Sequence, residues 1–375
     1  MIAVATISLL LLTFAYYLYF LSTVLTGLRS VNTPGSEAKP FVSVIVAARN
    51  EAGTITGCLQ SLSNQSYDAS QYEIILVDDH SDDRTLALAE GFKATIEKPR
   101  IVTLSLEDNL NHYGKPAAIA HGIASCQGEF VLCTDVDCVV QPEWISSMVR
   151  CFEPDIVFVA GPVAEISGNT LRSRLQSMEF LGLIATGAGL IGSGKPIICN
   201  GANIGYRRSA FEAVSGYGQD ATSCDDETLM QRMLVRKTGK VIFNFDPSAL
   251  VTTPTPDTFS AFWQQRTRWA AKRGHYESNS IFARLIMLFA FFLVAFISSI
   301  VALTVSALWI PLATVIMVKA VIEWVVLQTG AQLFRQRVRG ADFLIAELFH
   351  VPYIVLATVI GQFGSKSWKN RKLEQ

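Results

Sequence analysis

The sequence predicts an α/β protein, a doubly wound domain with a parallel sheet, carried between N-terminal and C-terminal transmembrane helices. Three observations predict it. Short apolar, β-rich runs alternate with helical stretches from Phe41 to Asp137. Long apolar segments almost free of charge lie at both ends of the chain. Carboxylates fall where the strands stop, the edge at which open α/β sheets hold ligands.

Residues 1–26 are the first expected element. Ile2 to Leu25 carries no charge and is long enough to span a bilayer core of about 30 Å. A cleaved signal peptide would call for a basic start, and here no Lys or Arg precedes the span while Arg29 follows it. The segment is therefore expected to be an uncleaved anchor that leaves the next domain in the cytoplasm. Residues 27–40 form a polar linker, and 41–256 form the soluble domain.

Within that domain Val42 to Ala47 reads as a strand running into Ala48-Arg49-Asn50-Glu51, with a helix from about Thr54 to Gln65. Glu73 to Val77 is the second strand and ends in Asp78-Asp79, ahead of a helix from about Asp83 to Gly91. Arg100 to Leu104 is the third strand, and Pro116 to Ser125 a helix leading into the fourth, Phe130 to Asp137. Arg172 to Leu190 contains an apolar, Gly-rich stretch that reads as packing against the sheet or the membrane surface, being short and small-residued for a span. A further helix is expected from about Glu227 to Lys237.

Residues 257–277 read as an amphipathic, interfacial helix. At about 100° per residue, Gln265, Arg268, Trp269 and Lys272 share one face. A transmembrane hairpin is expected over 285–329, broken near Pro311, with basic flanks on both outer ends. Its second helix carries Lys319 and Glu323 at ion-pair spacing, either a neutralised structural pair or a polar lining for a lipid or sugar path. Residues 341–364 form a third C-terminal membrane segment, spanning or re-entrant, interrupted by Glu347, His350 and Pro352, and 365–375 is a basic tail.

Composition excludes several classes. A net charge of −1 leaves no nucleic-acid footprint. Seven cysteines without a C-x-x-C pair argue against a disulfide framework or structural zinc, and fit a reducing compartment. No G-x-G-x-x-G follows the first strand, against a dinucleotide oxidoreductase, and no G-x-x-x-x-G-K-[ST] appears, against a P-loop ATPase. His112, His121 and His275 lack metal-ligand spacing.

The fourth strand carries the most specific chemistry. Alternation along an extended chain points Asp135 and Asp137 the same way, so that two hard oxygen donors can hold Mg²⁺ or Mn²⁺ through a substrate's phosphates. Asp78-Asp79 stands at the end of the second strand, although Ser81-Asp82-Asp83 also reads as a helix cap. Asp225-Asp226 precedes a helix, which Asp225 suits as a cap. Asn200-Gly201-Ala202-Asn203 reads as a backbone turn.

These four pieces in order (Asp78-Asp79, Asp135-x-Asp137, Asp225-Asp226 and Gln265-x-x-Arg268-Trp269) resemble the processive-type, membrane-bound members of glycosyltransferase family 2, which include cellulose, chitin, hyaluronan and poly-N-acetylglucosamine synthases. The resemblance covers residues 41–276 and the membrane layout. It implies the nucleotide-diphospho-sugar transferase (GT-A) fold for 41–256 and a nucleotide sugar, a UDP-sugar, as donor. It also implies a divalent ion and a lipid or glycan acceptor at the membrane. Residue by residue, it implies that Ala48, Asn50 and Glu51 line the nucleotide pocket, that Asp78 and Asp79 meet the base, and that Lys115 lies near the diphosphate. Asp135 and Asp137 match the metal and nucleotide-sugar motif, with Asp137 the better metal ligand. Asp226 matches the general base, and Gln265, Arg268 and Trp269 hold the diphosphate and the acceptor sugar. The chemistry asks for such groups: fixed positive charge against the leaving diphosphate, and a carboxylate to take the proton of an attacking hydroxyl. Direct displacement by that hydroxyl inverts the anomeric centre. Trp269 suits either sugar stacking or anchoring at the interface. The membrane part, three or four segments, is leaner than in the large synthases, which favours an alternative: a non-processive glycolipid synthase. A non-catalytic nucleotide-sugar-binding membrane protein is a third reading, and Asp226 argues against it because binding requires no base.

Overall fold

The computed structural model describes the chain except for residues 32–34, 107–112, 218–225, 271–276, 364–366, 369–370 and 373–375. Asp225, His112, Lys272, His275, and Lys366 and Lys369 of the basic tail lie outside the described residues. The chain divides into two compact units.

The first unit comprises Val31–Ile166, Gly194–Pro254 and Ser367–Gln375, and the second Met1–Ser30, Ser167–Ser193 and Thr255–Lys366. Along the chain, α1 (Ile2–Arg29) is followed by β1 (Val42–Ala48), α2 (Ile55–Ser63), β2 (Tyr72–Asp78), α3 (Thr85–Lys93), β3 (Arg100–Ser105), α4 (Lys115–Ser125) and β4 (Phe130–Asp135). Then come β5 (Val139–Val140), α5 (Trp144–Arg150), β6 (Ile156–Ala160), β7 (Val163–Ile166), α6 (Leu171–Gly192), β8 (Ile204–Arg207), α7 (Arg208–Ala213) and α8 (Asp226–Val235). The chain continues through β9 (Lys240–Phe243), β10 (Val251–Pro254), α9 (Phe259–Trp269), α10 (Asn279–Val301), α11 (Trp309–Leu333) and α12 (Gly340–Phe363).

In the first unit a seven-stranded sheet runs in the order β3-β2-β1-β4-β8-β6-β9. Strands β3, β2, β1 and β4 are parallel, as the alternating pattern predicts. β1, β2 and β4 read as near-continuous apolar runs because both of their faces are covered: Val44, Ile45, Val46, Ile74, Ile75, Leu76, Leu132 and Cys133 are fully buried, whereas the edge strand β3 is mostly half-buried or exposed. The sheet as a whole is mixed, however, because β8 runs antiparallel to both β4 and β6. The register pairs Ala48 with Asp78 and Ala47 with Asp135, so the C-terminal ends of β1, β2 and β4 reach one edge together. At the opposite edge buried Glu73 accepts from Ser43 Oγ (2.7 Å), Gln127 N (2.7 Å) and Arg100 Nη1 (2.7 Å), a satisfied polar knot.

The second unit is helical. Among the described residues five helices are long and apolar enough to cross a membrane: Ile2–Arg29, Leu171–Gly192, Asn279–Val301, Ser306–Leu333 and Gly340–Phe363. Of the two expected settings for Leu171–Gly192, the sheet or the membrane surface, the helix lies in the helical unit rather than with the sheet, and its glycines serve a close helix crossing. A Cβ on Gly27 would stand 1.8 Å from Gly189 O, one on Gly189 2.3 Å from Val24 O, and one on Gly192 2.5 Å from Gly27 O. Small residues thus lower the stretch's apparent hydropathy while letting α1 and α6 touch backbone to backbone. Pro311 sits in the first turn of α11, where its missing N–H costs no helical bond. Residues 340–363 form one continuous helix of 24 residues with Pro352 inside it.

Candidate active site

The site lies at the shared end of β1, β2 and β4 in the first unit. Asp135 is the last residue of β4. The extended geometry expected through Asp137 does not hold: Val136-Asp137 is a turn, closed by the Cys138 N–H donating to Asp135 O at 3.1 Å. That turn still gathers the two carboxylates. Ligand atoms of Asp135, Asp137 and Cys138 lie within 4.8 Å of one another. Burial, and then the negative charges of Asp135 and Glu51, push the Asp137 carboxyl up to about 6. Burial, joined by Asp135 and Asp137, raises the Cys138 thiol well above its usual range, so the donors at neutral pH are the carboxylates. Crowded, partly desolvated carboxylate oxygens fit a hard divalent cation such as Mg²⁺ or Mn²⁺.

Lys115 opens α4 beside this pair. Gly114 before it has φ 92°, a conformation that favours glycine, and donates its N–H to Asp79 Oδ2 at 3.1 Å. The Lys115 ammonium stands 2.7 Å from Asp135 Oδ1 and 3.2 Å from Asp226 Oδ2, and donates to Gly201 O at 3.2 Å. Burial opposes its charge, but Asp135 and Asp226 outweigh that and hold its pKa well above the ordinary lysine value. Asp226 is the first residue of α8 and is buried. The Tyr217 hydroxyl donates to its Oδ1 at 3.2 Å. Behind Tyr217 the hydrogen bonding continues through Tyr206 to Cys133 Sγ, which is 3.4 Å from Tyr206 Oη. Gly201 is required here: a Cβ would stand 1.6 Å from Asp226 Oδ2 and 2.8 Å from Lys115 Nζ. The Asn200–Asn203 turn therefore does more than reverse the chain, since it gives the lysine a carbonyl and leaves the carboxylate its space.

The rim beside β1 and β2 is built from two interlocked loops. Arg49 Nη1 donates to Asp79 O (2.6 Å) and His80 O (3.1 Å), the Asn50 N–H donates to Ser81 Oγ (2.9 Å), and the Asp82 N–H donates to Asn50 Oδ1 (2.9 Å). Asn50 takes φ 53°, a left-handed conformation that Asn tolerates. The Glu51 N–H donates to Thr85 Oγ1 (2.7 Å), and Ala48 O accepts from the Asp79 N–H (2.8 Å). Asp78 and Asp79 are both buried. The N-cap of α3 is Arg84, with no side-chain cap hydrogen bond; Asp83 before it accepts from the Thr85 N–H at 2.8 Å, and Asp78 bonds the Ser81 N–H, short of the helix. Asp78 Oδ2 accepts from the Ser81 N–H, while buried Oδ1 has no hydrogen-bond partner among the described residues.

Ala48, Asn50, Glu51, Asp78, Asp79, Lys115, Asp135, Asp137 and Asp226 therefore all belong to the first unit, around one sheet edge. Gln265, Arg268 and Trp269 belong to α9 of the second unit, and all three are half-buried. The side chains α9 buries are Phe262 and Arg266. Sequence reading missed Tyr217 and Arg266, and took Gly201 only as part of a backbone turn. A lone Tyr carries no spacing signal, and Arg266 reads as one more surface charge on a basic helix.

The family model for glycosyl transferase family 2 matches residues 43–215, and that for glycosyl transferase family group 2 matches residues 130–329. The chain belongs to the family 2 glycosyltransferases and is an enzyme of that class. It is 27% identical over 239 residues to a poly-beta-1,6-N-acetyl-D-glucosamine synthase of Staphylococcus epidermidis, covering 62% of this chain and 54% of that one. It is 29% identical over 236 residues to the "Probable glycosyltransferase YdaM" of Bacillus subtilis, with coverage of 62% and 54%. The chain thus spans about half the length of these curated relatives. Among solved structures it is similar to the mannosyltransferase PcManGT from Pyrobaculum calidifontis in complex with GDP-Man and Mn²⁺, with a TM-score of 0.64 and 18% identity over 96% of this chain and 99% of that one. That likeness shows the GT-A fold.

Proposed function

We propose that the protein is a membrane-embedded, metal-dependent, inverting glycosyltransferase. It moves a sugar from a nucleotide-diphosphate donor, a UDP-sugar, to a lipid or glycan acceptor at the membrane, with the first unit on the cytoplasmic side of the cell membrane. The observation that carries this reading is the convergence of Asp135, Lys115 and Asp226 from β4, α4 and α8 around a single ammonium. The family membership and the five long apolar helices support the rest.

In this reading the unpartnered Asp78 oxygen and the Ala48–Glu51 turn receive the nucleotide. Asp137, with Asp135, would hold the divalent ion, which supplies positive charge to the diphosphate as it leaves. Asp226 takes the proton of the attacking acceptor hydroxyl. Its Oδ1 is held by Tyr217, and its Oδ2 faces Lys115. A bound diphosphate competes for the lysine, and movement of Lys115 toward phosphate frees Oδ2 for the acceptor. The base is thereby armed by the donor. Gln265, Arg268 and Trp269 keep the roles that the family resemblance gives them, toward the diphosphate and the acceptor.

The test is incubation of membranes containing the protein with a panel of labelled nucleotide sugars. Label entering lipid or polymer supports transfer; donor binding by calorimetry with no label transferred to any extracted lipid favours the non-catalytic reading. A ladder of long chains identifies a polymerising synthase, and a single-sugar lipid identifies a glycolipid synthase.

A further inference from the structure

Inside the Gln265-x-x-Arg268-Trp269 motif, one of the two intervening residues is the most constrained side chain of its helix. Arg266 is 4% exposed, whereas its neighbours in the motif are half-buried. Its Nε lies 2.8 Å and its Nη2 2.5 Å from Glu179 Oε2, on α6. Its Nη1 donates to Gln265 Oε1 at 2.5 Å. The guanidinium lies 4.4 Å from the centre of the Trp269 ring and 4.8 Å from that of Phe262. Glu179 is itself fixed from a third helix, since the Tyr353 hydroxyl of α12 donates to its Oε1 at 3.0 Å. Gln362 Nε2 donates to Ala270 O at 2.6 Å, tying the end of α9 to the same helix.

We infer that Arg266 and Glu179 form a clamp that sets the orientation of Gln265 and Trp269, and that Arg266 is a positioning residue for sugar transfer. This inference rests on the functional reading above. A planar guanidinium can meet a carboxylate, an amide oxygen and a ring face at once, and a lysine ammonium cannot. Because Arg266 covers one face of the indole, Trp269 has only its other face left for a sugar ring. The Gln265 amide oxygen is engaged by Arg266, which turns the amide NH₂ outward as the donor available to a ligand. Reduced pre-organisation in Arg266 variants would leave the donor sugar exposed to water as often as to acceptor. The signature is therefore the share of released nucleotide whose sugar reaches product, rather than activity alone.

The experiment uses the full-length protein in detergent with co-purified lipid and the donor selected from the nucleotide-sugar panel. It compares wild type, Arg266→Lys, Arg266→Ala, Arg266→Glu and the reversal Arg266→Glu/Glu179→Arg. Arg266→Ala is expected to lower the ratio of transfer to donor hydrolysis by about tenfold or more, with the donor KM changed less than about twofold. Arg266→Lys should be nearly as impaired, and the reversal pair should recover part of the ratio lost in Arg266→Glu. In parallel, hydroxyl-radical footprinting reads the clamp without any activity: oxidation of Trp269 should rise in Arg266→Ala relative to buried Trp144. An unchanged Trp269 footprint, or transfer and hydrolysis falling together in proportion to a lower Tm, would overturn the clamp. A wild type that transfers no sugar from any donor would refute the functional reading, and the footprint would still decide whether the clamp exists.

Discussion

The two units each bury a lysine between two carboxylates, and the two sites differ in almost everything else. In the first unit Lys115 stands 2.7 Å from Asp135 and 3.2 Å from Asp226, with its side chain 29% exposed and that of Asp135 40% exposed. In the second, Lys319 stands 2.9 Å from Glu323 and 2.7 Å from Glu347, with its side chain 0% exposed and its partners 11% and 9% exposed. His350 Nδ1 lies 3.0 Å from Lys319 and 3.1 Å from Glu323, and the Tyr17 hydroxyl donates to Glu323. The Lys319 cluster draws on α1, α11 and α12 and is closed by the aromatic rings of Tyr17, Phe291 and Phe292. The same chemistry thus leaves an open side at Lys115, as the proposed donor site needs, and closes around Lys319 as a helix staple. Of the two readings of Lys319 and Glu323, the packing favours the structural pair, enlarged to five residues, over the lining of a path.

The comparison can be broken most sharply at the divalent-ion ligands. Asp137→Ala should lower turnover by about a hundredfold and abolish its dependence on added Mg²⁺ or Mn²⁺; steady-state assays across metal concentrations check this, and full activity would sink the assignment. The next largest contrast lies between the two lysines. Removing Lys319 leaves buried carboxylates unpaired, so Lys319→Ala should cost about 3–5 kcal/mol of stability, read as a lower Tm in detergent. Lys115→Ala should barely move Tm while reducing turnover at least about tenfold. Equal Tm losses would erase the distinction between site and staple. Tyr217→Phe removes one hydrogen bond to a charged group and should reduce turnover by about tenfold, with donor affinity unchanged in calorimetry.

The smallest effect is a pH dependence. On the proposed reading a divalent ion would need Asp137 ionised, and its carboxyl is pushed up to about 6 without metal, so protons would compete below that value. Apparent metal affinity should fall by up to about tenfold per pH unit below about pH 6. Metal-free stability moves the other way, because a raised carboxyl is favoured protonated: Asp137→Asn should stabilise above about pH 6 and be neutral below about pH 4. Titration calorimetry and melting curves across that range measure both.

The sequence made some parts of this molecule plain and hid others for physical reasons. The apolar runs Val42–Ala48 and Tyr72–Asp78 announce themselves because strands covered on both faces need no alternation. Asp78, Asp135 and Asp226 stood out as candidates because they fall in order with the Gln265-x-x-Arg268-Trp269 motif, a combination that helix capping alone does not explain. The turn at Val136-Asp137 was not, since the apolar run gives no sign of where extension stops. The antiparallel placement of β8 was hidden because a four-residue strand carries almost no pattern. Arg172 to Leu190 was hard to read because glycines that permit tight helix contact look like weakness in a hydropathy sum. Tyr217 and Arg266 act through partners tens of residues away in sequence, and only the folded chain brings those partners together.

The central claim is that Asp226, released from Lys115 by the donor, takes the proton of the acceptor hydroxyl. Turnover and donor binding measured side by side in Asp226→Asn test it most directly. Turnover should fall by about 10²–10⁴-fold while calorimetry returns a donor Kd within about twofold of wild type. Turnover retained at the wild-type level would contradict it.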